Sequence, residues 1–210
     1  MANRFTVYGH QLSGPTYKVA LALSLFGEKF DYVHVDLRVG AQKKPDYIAK
    51  NRYGQVPTLL DGSHYFCQSA SILQYLAETL KKFDGKSAEE HARIREWMFW
   101  DFDRLAPGIF RSRAYKLGLR KGESPVVDSF KGDGEAGLAV LEEHLGKHDW
   151  LVGDKPTIAD IDIYGVIYFA TDGGFDLAKY SKISAWKKRF ETLPGFALQQ
   201  AICPMESKAS

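Results

Sequence analysis

The sequence is poor in cysteine and has no long apolar run. Its 210 residues include only two cysteines, Cys67 and Cys203, too few for a disulfide framework or a four-cysteine zinc site. Asp, Lys, Gly or Pro interrupts every apolar run before the roughly 20 residues that a membrane helix needs. The opening residues, MANRFTVYGHQ, lack the charged and apolar segments of a secretory leader. We therefore expect a soluble, cytoplasmic protein that does not bind a membrane.

The chain also has little excess of positive over negative charge. The chain has 28 basic and 26 acidic residues, which give a formal net charge of +2. Proteins that bind nucleic acid usually concentrate positive charge on one face, so this partner is not expected. The remaining composition, 45% hydrophobic and 13% aromatic, is typical of a globular protein, and 210 residues are enough for two small domains.

The first 82 residues alternate between strand-like and helix-like patterns. Phe5 and Val7 share one face of a predicted strand over residues 4–9. Gly14 and Pro15 predict the start of a helix, since proline is tolerated in a first turn, and Gly27 predicts its end. Further expected elements are a strand over 30–37, a short helix over 45–50, a hairpin of strands 58–60 and 64–67, and a helix over 70–81.

From about residue 88 onward, only helical patterns remain. Helices are predicted over residues 89–105, 137–145, 157–169 and 183–193, and the first should stop or kink before Pro107. The third is apolar on nearly every face, and Thr157 and Asp160 form a capping-box pattern at its start. The sequence therefore predicts an α/β domain over residues 1–82 and an all-helical domain over residues 88–210.

Ser13 is the first candidate functional residue. It precedes the helix start at Gly14 and Pro15, where unpaired amides and the positive end of the helix favour an anion. A thiolate would suit this position. Lowering a thiol pKa from about 8.5 by about two units needs ~2.7 kcal/mol, similar to one charge-assisted hydrogen bond plus a helix end. The alternative is that Ser13 only caps the helix.

Two residue pairs also fall at the ends of elements. Val56 precedes Pro57 at a strand start, which leaves its amide and carbonyl available to an extended peptide; an ordinary trans proline is the alternative. Ser69, after Gln68, is expected to cap the helix at 70–81 or to bind a ligand carboxylate. These segments and Ser13 should converge at one edge of the sheet on an extended, anionic peptide that bears a thiol.

Three segments together resemble the cytosolic glutathione transferase family, and most closely its serine-dependent bacterial, theta-like and phi-like branch. They are YGHQLSGPTYKVALAL, NRYGQVPTLLDGSHYFCQSASILQYLAE and WLVGDKPTIADIDIYG. The resemblance implies a thioredoxin-like amino-terminal domain, an all-helical carboxy-terminal domain and a cis Val56–Pro57 bond. It also implies glutathione as cosubstrate, a homodimer, and neither metal nor nucleotide.

The resemblance assigns roles residue by residue. Ser13 matches the catalytic serine that stabilises the glutathione thiolate. The expected glutathione-binding residues are Gln42, Lys43, Gln55, Val56, Pro57, Gln68 and Ser69.

Two replacements depart from the family pattern. Gln42 stands where histidine is common, so only Lys43 offers positive charge there, and Gln68 stands where glutamate is common. Asp101 or Asp103 of a partner subunit is expected to supply an acid for the glutathione ammonium.

For Tyr8, residues 132–137 and Cys67, a role in the fold is a simpler explanation than a role in a functional site. Tyr8 is the alternative partner for the sulfur, although an aromatic in the core or at a subunit interface is the simpler interpretation. Residues 132–137 match the G-x-G-x-x-G dinucleotide pattern, but Asp133 and Glu135 would oppose a pyrophosphate, so we expect a flexible loop that opens a helix. Cys67 is expected to be a small buried apolar residue.

The leading hypothesis is a glutathione transferase that attacks an apolar electrophile, held between the Leu12 loop and residues 110–115. A glutathione-dependent isomerase, dehalogenase, peroxidase or reductase would use the same first site. A catalytically weak carrier of apolar ligands is the alternative from another class, and the replacements at positions 42 and 68 give it some support.

Overall fold

A four-stranded mixed sheet organises the first part of the chain in the computed structural model, which describes residues 3–207. The strands are β1 (Phe5–Gly9), β2 (Phe30–His34), β3 (Thr58–Asp61) and β4 (His64–Cys67), in the order β2-β1-β3-β4. β1 pairs in parallel with β2 and antiparallel with β3, and β4 completes a hairpin with β3. Phe5 and Val7 of the central strand are fully buried, as their alternation predicted.

Helices α1 (Gly14–Leu25), α2 (Pro45–Ile48) and α3 (Ser69–Leu80) accompany the sheet. β2 ends three residues earlier than predicted, because the Asp36 carboxylate accepts the Arg38 amide at 2.9 Å and starts a 3₁₀ turn over Leu37–Val39. A second 3₁₀ turn follows over Ala41–Lys43. The mixed sheet with these helices confirms the predicted thioredoxin-like fold.

The second part of the chain is helical among its described residues, which confirms the predicted fold class. Its helices are α4 (Ala88–Trp100), α5 (Ala106–Lys116), α6 (Ser124–Leu145), α7 (Ile158–Ile167) and α8 (Ser181–Glu191). Of the two outcomes expected before Pro107, the stop is wrong and the kink stays a prediction. A π-helical turn over Asp101–Leu105 joins α4 to α5, and Pro107 lies in the first turn of α5, where its missing amide is tolerated.

The prediction of a flexible loop at residues 132–137 is also wrong, because this segment lies inside α6. Two of its glycines serve close packing. A Cβ on Gly108 of α5 would lie 2.4 Å from the backbone nitrogen of Gly134, and a Cβ on Gly137 would lie 2.9 Å from Leu105. These glycines therefore allow α6 to pack closely against α5 and the turn before it, and they do not form a phosphate-binding loop.

A capping box opens α7, as predicted. The Thr157 hydroxyl accepts the Ala159 amide at 3.3 Å, and the Asp160 carboxylate accepts the Thr157 amide at 2.9 Å. Every residue of α7 is buried, which agrees with a central helix.

The described residues form two units with bounds that differ from the expected domains. One comprises the residues up to Lys82 together with those from Leu193 onward, and the other comprises Phe83–Thr192. The returning segment contains α9 (Gln199–Ile202) and contacts α1, where the Tyr17 hydroxyl donates to the Ala197 carbonyl at 3.0 Å. Within residues 3–207, no helix combines the length and the hydropathy needed to cross a bilayer.

Candidate functional site

The register of the sheet brings three of the predicted segments to one end of it. Tyr8, the penultimate residue of β1, pairs with Thr58, the first residue of β3, and Thr58 pairs with Cys67, the last residue of β4. The loop after β1, the loop before β3 and the connection after β4 therefore leave the same end of the sheet. Those connections carry Ser13, Val56–Pro57 and Gln68–Ser69.

Ser13 is the N-cap of α1. It has extended backbone angles, and its hydroxyl oxygen accepts the Thr16 amide at 3.2 Å. The side chain is partly exposed, and the first turn of α1 contains no acidic residue. The cap oxygen is thus engaged as an acceptor while its hydrogen remains available, and the positive end of a twelve-residue helix lies beside it.

Hydrogen bonds to His10 and to the Gln11 carbonyl, which accepts the Gln199 side-chain amide, hold the turn from His10 to Ser13. The Ser13 amide donates to the His10 carbonyl at 3.0 Å, and the Leu12 amide donates to Nδ1 of the His10 ring at 3.1 Å. Gly9 allows α1 to approach, because a Cβ there would lie 2.1 Å from the Thr16 methyl group. The sequence analysis missed His10, whose only local signal is its position between a strand and a serine cap.

The side chains of His10, His34 and Asp36 form a cluster whose ligand-type atoms lie within 4.8 Å of one another. The His10 and His34 rings are 5.1 Å apart. Because Nδ1 of His10 accepts the Leu12 amide, the proton of the neutral ring lies on Nε2. That tautomer leaves no lone pair of His10 for a metal, so this arrangement does not fit a metal-binding triad.

Burial lowers the pKa of His10, and the nearby His34 and Arg38 lower it further, while Asp36 opposes the shift. His10 is only 2% exposed. The neutral imidazole is therefore favoured in the folded protein, in agreement with its role as an acceptor.

The Val56–Pro57 peptide bond is cis, as the resemblance implied. Asn51 and Tyr47, which the sequence analysis missed, hold this loop. The Asn51 amide donates to the Gln55 carbonyl at 2.7 Å, and the Tyr47 hydroxyl donates to the same oxygen at 2.8 Å. Both residues are buried, so they support the loop from beneath.

Gln68 has a left-handed backbone, with φ of 68°, which is uncommon outside glycine. It, and not Ser69, is the N-cap residue of α3, and it makes no capping hydrogen bond through its side chain. The expected cap role of Ser69 is therefore wrong: Ser69 is the first helical residue. The Gln68 side-chain amide instead donates to the Gln55 side chain at 3.3 Å, which links two predicted binding residues.

Gln42 and Lys43 lie in the second 3₁₀ turn, against the loop that leads to Val56. A Cβ on Gly54 would lie 3.0 Å from the Lys43 amine and 3.1 Å from the Gln42 carbonyl oxygen. Lys43 is exposed. A cation thus adjoins the cis-proline loop.

Tyr8, the alternative partner for the sulfur, and the Cys67 thiol both have partners within the structure. The Tyr8 ring meets Tyr65 edge-on at 6.2 Å, and burial, followed by Tyr65, raises the pKa of the Tyr8 phenol. Burial also raises the pKa of the half-buried Cys67 thiol, whose sulfur donates to the Lys50 carbonyl at 3.7 Å. Neither group is arranged as an activated nucleophile.

The remaining residues with predicted roles lie in the second unit, Phe83–Thr192. Asp101 is buried, whereas Asp103 is exposed and pairs with Arg104 at 2.8 Å. In the expected electrophile region, Phe110 meets Phe169 edge-on at 6.3 Å, and Tyr115 stacks on Phe130. The roles of these residues stay predictions.

Comparisons with known proteins match both parts of the chain. Residues 3–78 match the family model of the glutathione S-transferase N-terminal domain, and residues 109–194 match that of the C-terminal domain. Glutathione S-transferase 3 of Zea mays is 30% identical over 95% of this chain and 94% of that protein. Maleylacetoacetate isomerase of Rhizobium meliloti is 28% identical over 93% of this chain and 95% of that protein.

A solved structure supports the same relationship. A possible glutathione transferase from Rhodopseudomonas palustris superposes with a TM-score of 0.84 and is 33% identical, covering 93% of this chain and 97% of that chain.

Proposed function

The chain belongs to the glutathione S-transferase family, and from that premise we propose that it activates the thiol of glutathione for attack on an apolar electrophile. The observation that carries this proposal is the acid-free N-terminus of α1, capped by a serine whose hydrogen is available. No metal or nucleotide is needed for this chemistry.

Ser13 acts on the sulfur. Its oxygen keeps the Thr16 amide while its hydrogen donates to the glutathione sulfur, which favours the thiolate. The thiol proton leaves to solvent, and the sulfur then bonds to the electrophilic carbon with addition or with loss of a leaving group. A charge-assisted hydrogen bond of ~1.5–3 kcal/mol lowers a thiol pKa by about one to two units.

The remaining contacts fix the peptide. The backbone amide and carbonyl of Val56, beside Pro57 and Gln55, pair with the cysteinyl part in the manner of an added strand. The carboxylate of the γ-glutamyl end binds the amide and hydroxyl of Ser69 at the start of α3, beside Gln68.

Side chains of opposite charge bind the two charged ends of glutathione. Lys43, next to Gln42, attracts the glycine carboxylate. An acid from a partner subunit, Asp101 or Asp103, pairs with the glutathione ammonium in a cytoplasmic homodimer.

Isomerisation is the second candidate function. It is favoured by the 28% identity with maleylacetoacetate isomerase over nearly the whole of both chains. The same thiolate would add to a conjugated double bond, allow rotation about the resulting single bond and then leave, so glutathione is regenerated. Release of free glutathione after turnover distinguishes this reaction from transfer.

The test is an ultraviolet titration of enzyme-bound glutathione against pH. Ser13→Ala is compared with Ser87→Ala, a matched control in which another serine N-cap, bonded to the Glu90 amide at 3.1 Å, is removed from α4. We expect a bound thiol pKa about one to two units below 8.5 in the wild type and in Ser87→Ala, and a rise of about one unit in Ser13→Ala.

Two outcomes would contradict the proposal. Binding with an unshifted thiol pKa supports the carrier of apolar ligands, and absence of glutathione binding removes the proposed function altogether.

A further inference from the structure

We propose that an open pocket in the second unit binds a small, soluble molecule that carries several negative charges, of the diphosphate or triphosphate type. The pocket lies between the end of α5, the loop to α6, the first turns of α6 and the loop after α7, and it has a volume of about 660 Å³. That volume is within the range of roughly 300–1,000 Å³ that is common for small-molecule sites. Its residues are separate from those assigned to glutathione, so the proposal is independent of the function of Ser13.

Positive charge dominates the lining of this pocket, which we call the basic pocket. Its four charged lining residues are all cations: Lys116, Arg120, Lys121 and Lys131. Within residues 3–207, none of these four side chains forms an ion pair. Asp172, the acid next to the lining residue Gly173, pairs instead with Arg113 at 3.2 Å. The four charges are therefore not compensated from within the described part of the chain, and their combined field favours an anion.

The charges come from three segments that the fold brings around one space. Lys116 belongs to the last turn of α5, and a Cβ on Gly174 would lie 3.5 Å from its amine, which places that amine against the loop after α7. A Cβ on Gly122 would lie 2.6 Å from the Tyr115 ring, so the loop to α6 packs onto α5. Lys131 adds a charge from α6. The cations thus surround a concave site, unlike lysines spread along one solvated helix face.

Ser112 supplies an independent sign of a ligand. This residue lines the pocket but is only 4% exposed, and its hydroxyl has no hydrogen-bond partner among the described residues. A buried hydroxyl without a partner is unfavourable. An anionic oxygen that reaches the base of the pocket would accept its hydrogen, and a hydrogen bond to a charged oxygen is stronger than one to a neutral acceptor.

The basic pocket also differs from the expected electrophile region at Phe110. Successive residues of a helix are about 100° apart, which places Ser112 and Lys116 on the side of α5 opposite Phe110. Phe110 meets Phe169 on its own side. An apolar electrophile would gain nothing from four cations, whereas a ligand with several negative charges can engage them together.

The first experiment is calorimetric titration with inorganic pyrophosphate in metal-free buffer. We expect one site per chain, with an affinity that falls as salt is added. Lys116→Gln/Lys131→Gln should weaken this affinity about tenfold or more, because each lysine contributes a charge-assisted contact. Lys155→Gln/Lys188→Gln is the matched control: it changes the net charge equally, at exposed residues of the same unit that do not line the pocket, and should stay within about twofold of the wild type.

Ser112→Ala separates a ligand seated in the pocket from diffuse attraction to surface charge. We expect a loss of about tenfold in pyrophosphate affinity, because the variant removes the proposed hydrogen-bond donor without changing the charge. The free energy of unfolding in urea should not decrease, since an unpartnered buried hydroxyl is removed.

Two further arms identify the site and the kind of ligand. Saturating glutathione should leave pyrophosphate affinity unchanged, because the two sites share no residue. Vesicles of phosphatidylglycerol test whether the cations bind a membrane surface instead. Equal weakening by the two double variants, wild-type affinity in Ser112→Ala, displacement by glutathione, or vesicle binding without pyrophosphate binding would overturn the proposal. The thiol titration of the Ser13 site is a separate measurement, so failure of one proposal leaves the other intact.

Discussion

Helices α1 and α7 both begin at a residue with a hydroxyl group, but only α7 has an acid in its first turn. Thr157 is 6% exposed, and Asp160 three residues later is fully buried. Ser13 is partly exposed, and Thr16, three residues later, offers no charge. The positive end of α7 is thus neutralised within the protein, whereas that of α1 remains available to an external anion.

The Asp160 carboxylate, in the first turn of α7, is occupied by hydrogen bonds from within the protein. It accepts the Leu151 amide at 3.1 Å, the Thr157 amide at 2.9 Å and the Trp186 indole at 3.1 Å. These donors come from the preceding loop, the cap and α8. The same local pattern of a hydroxyl cap therefore stabilises the fold in one unit and presents a candidate site in the other.

The largest expected effect is the loss of stability in Asp160→Ala. Removal of the carboxylate leaves four buried donors without their acceptor, namely the Leu151 and Thr157 amides, the Thr157 hydroxyl and the Trp186 indole. Each unsatisfied group costs about 1–3 kcal/mol. We expect the free energy of unfolding, measured with urea, to fall by about 3 kcal/mol or more. Asp176→Ala is the control: Asp176 caps an exposed turn by accepting the Ala178 amide at 3.1 Å, and its loss should cost about 1 kcal/mol or less. Equal losses in the two variants would contradict the distinction between a buried and an exposed cap.

The second prediction concerns pH. Burial raises the pKa of Asp160 to about 6, against the opposing hydrogen bonds from Thr157, Leu151 and Trp186. The folded protein therefore holds a proton at pH values where the unfolded chain, with a pKa of about 3.9, has released it. Relative to Asp160→Asn, the wild-type free energy of unfolding should fall as pH rises from about 4 to about 6. A difference that stays constant across this range would show that the carboxylate is ionised throughout.

The smallest expected effect comes from making α1 resemble α7. Pro15 lies in the first turn of α1, and Pro15→Glu adds an acid there, with Pro15→Gln as the uncharged control. A negative charge at a helix start is worth ~0.3–1 kcal/mol, so the bound-thiol pKa should be about half a unit higher in the Glu variant than in the Gln variant. Salt should reduce this difference. Identical thiol pKa values would indicate that the helix end does not act on the sulfur.

Much of the fold follows from local patterns. Alternation predicted β1, Asp61 and Gly62 predicted the β3–β4 hairpin, and the Thr157 cap predicted the start of α7, as observed. These features depend on neighbours along the chain. The glycines of α6 were misinterpreted because their partners, Gly108 and Leu105, are distant in sequence and become neighbours only when two helices pack.

The candidate site shows the same division. Ser13 was predictable because a serine before Gly14 and Pro15 is a local helix start. His10, Asn51 and Tyr47 were missed, since each acts through hydrogen bonds to a loop backbone whose path is not visible in the sequence. Gln68, and not the predicted Ser69, is the N-cap of α3, because the backbone is left-handed at Gln68. A glutamine in a sequence gives no signal for a left-handed backbone.

The sequence by itself determined the four strands, most of the helices, the hydroxyl caps of α1 and α7, and which residue types stand at the element ends. Those properties arise from periodicity and capping, which act over a few residues. Only the tertiary structure decided that Tyr8, Thr58 and Cys67 lie in one row, that His10 accepts the Leu12 amide, and that the α6 glycines meet α5. The reason is physical: strand register and close packing are set by contacts between segments that are far apart in the chain.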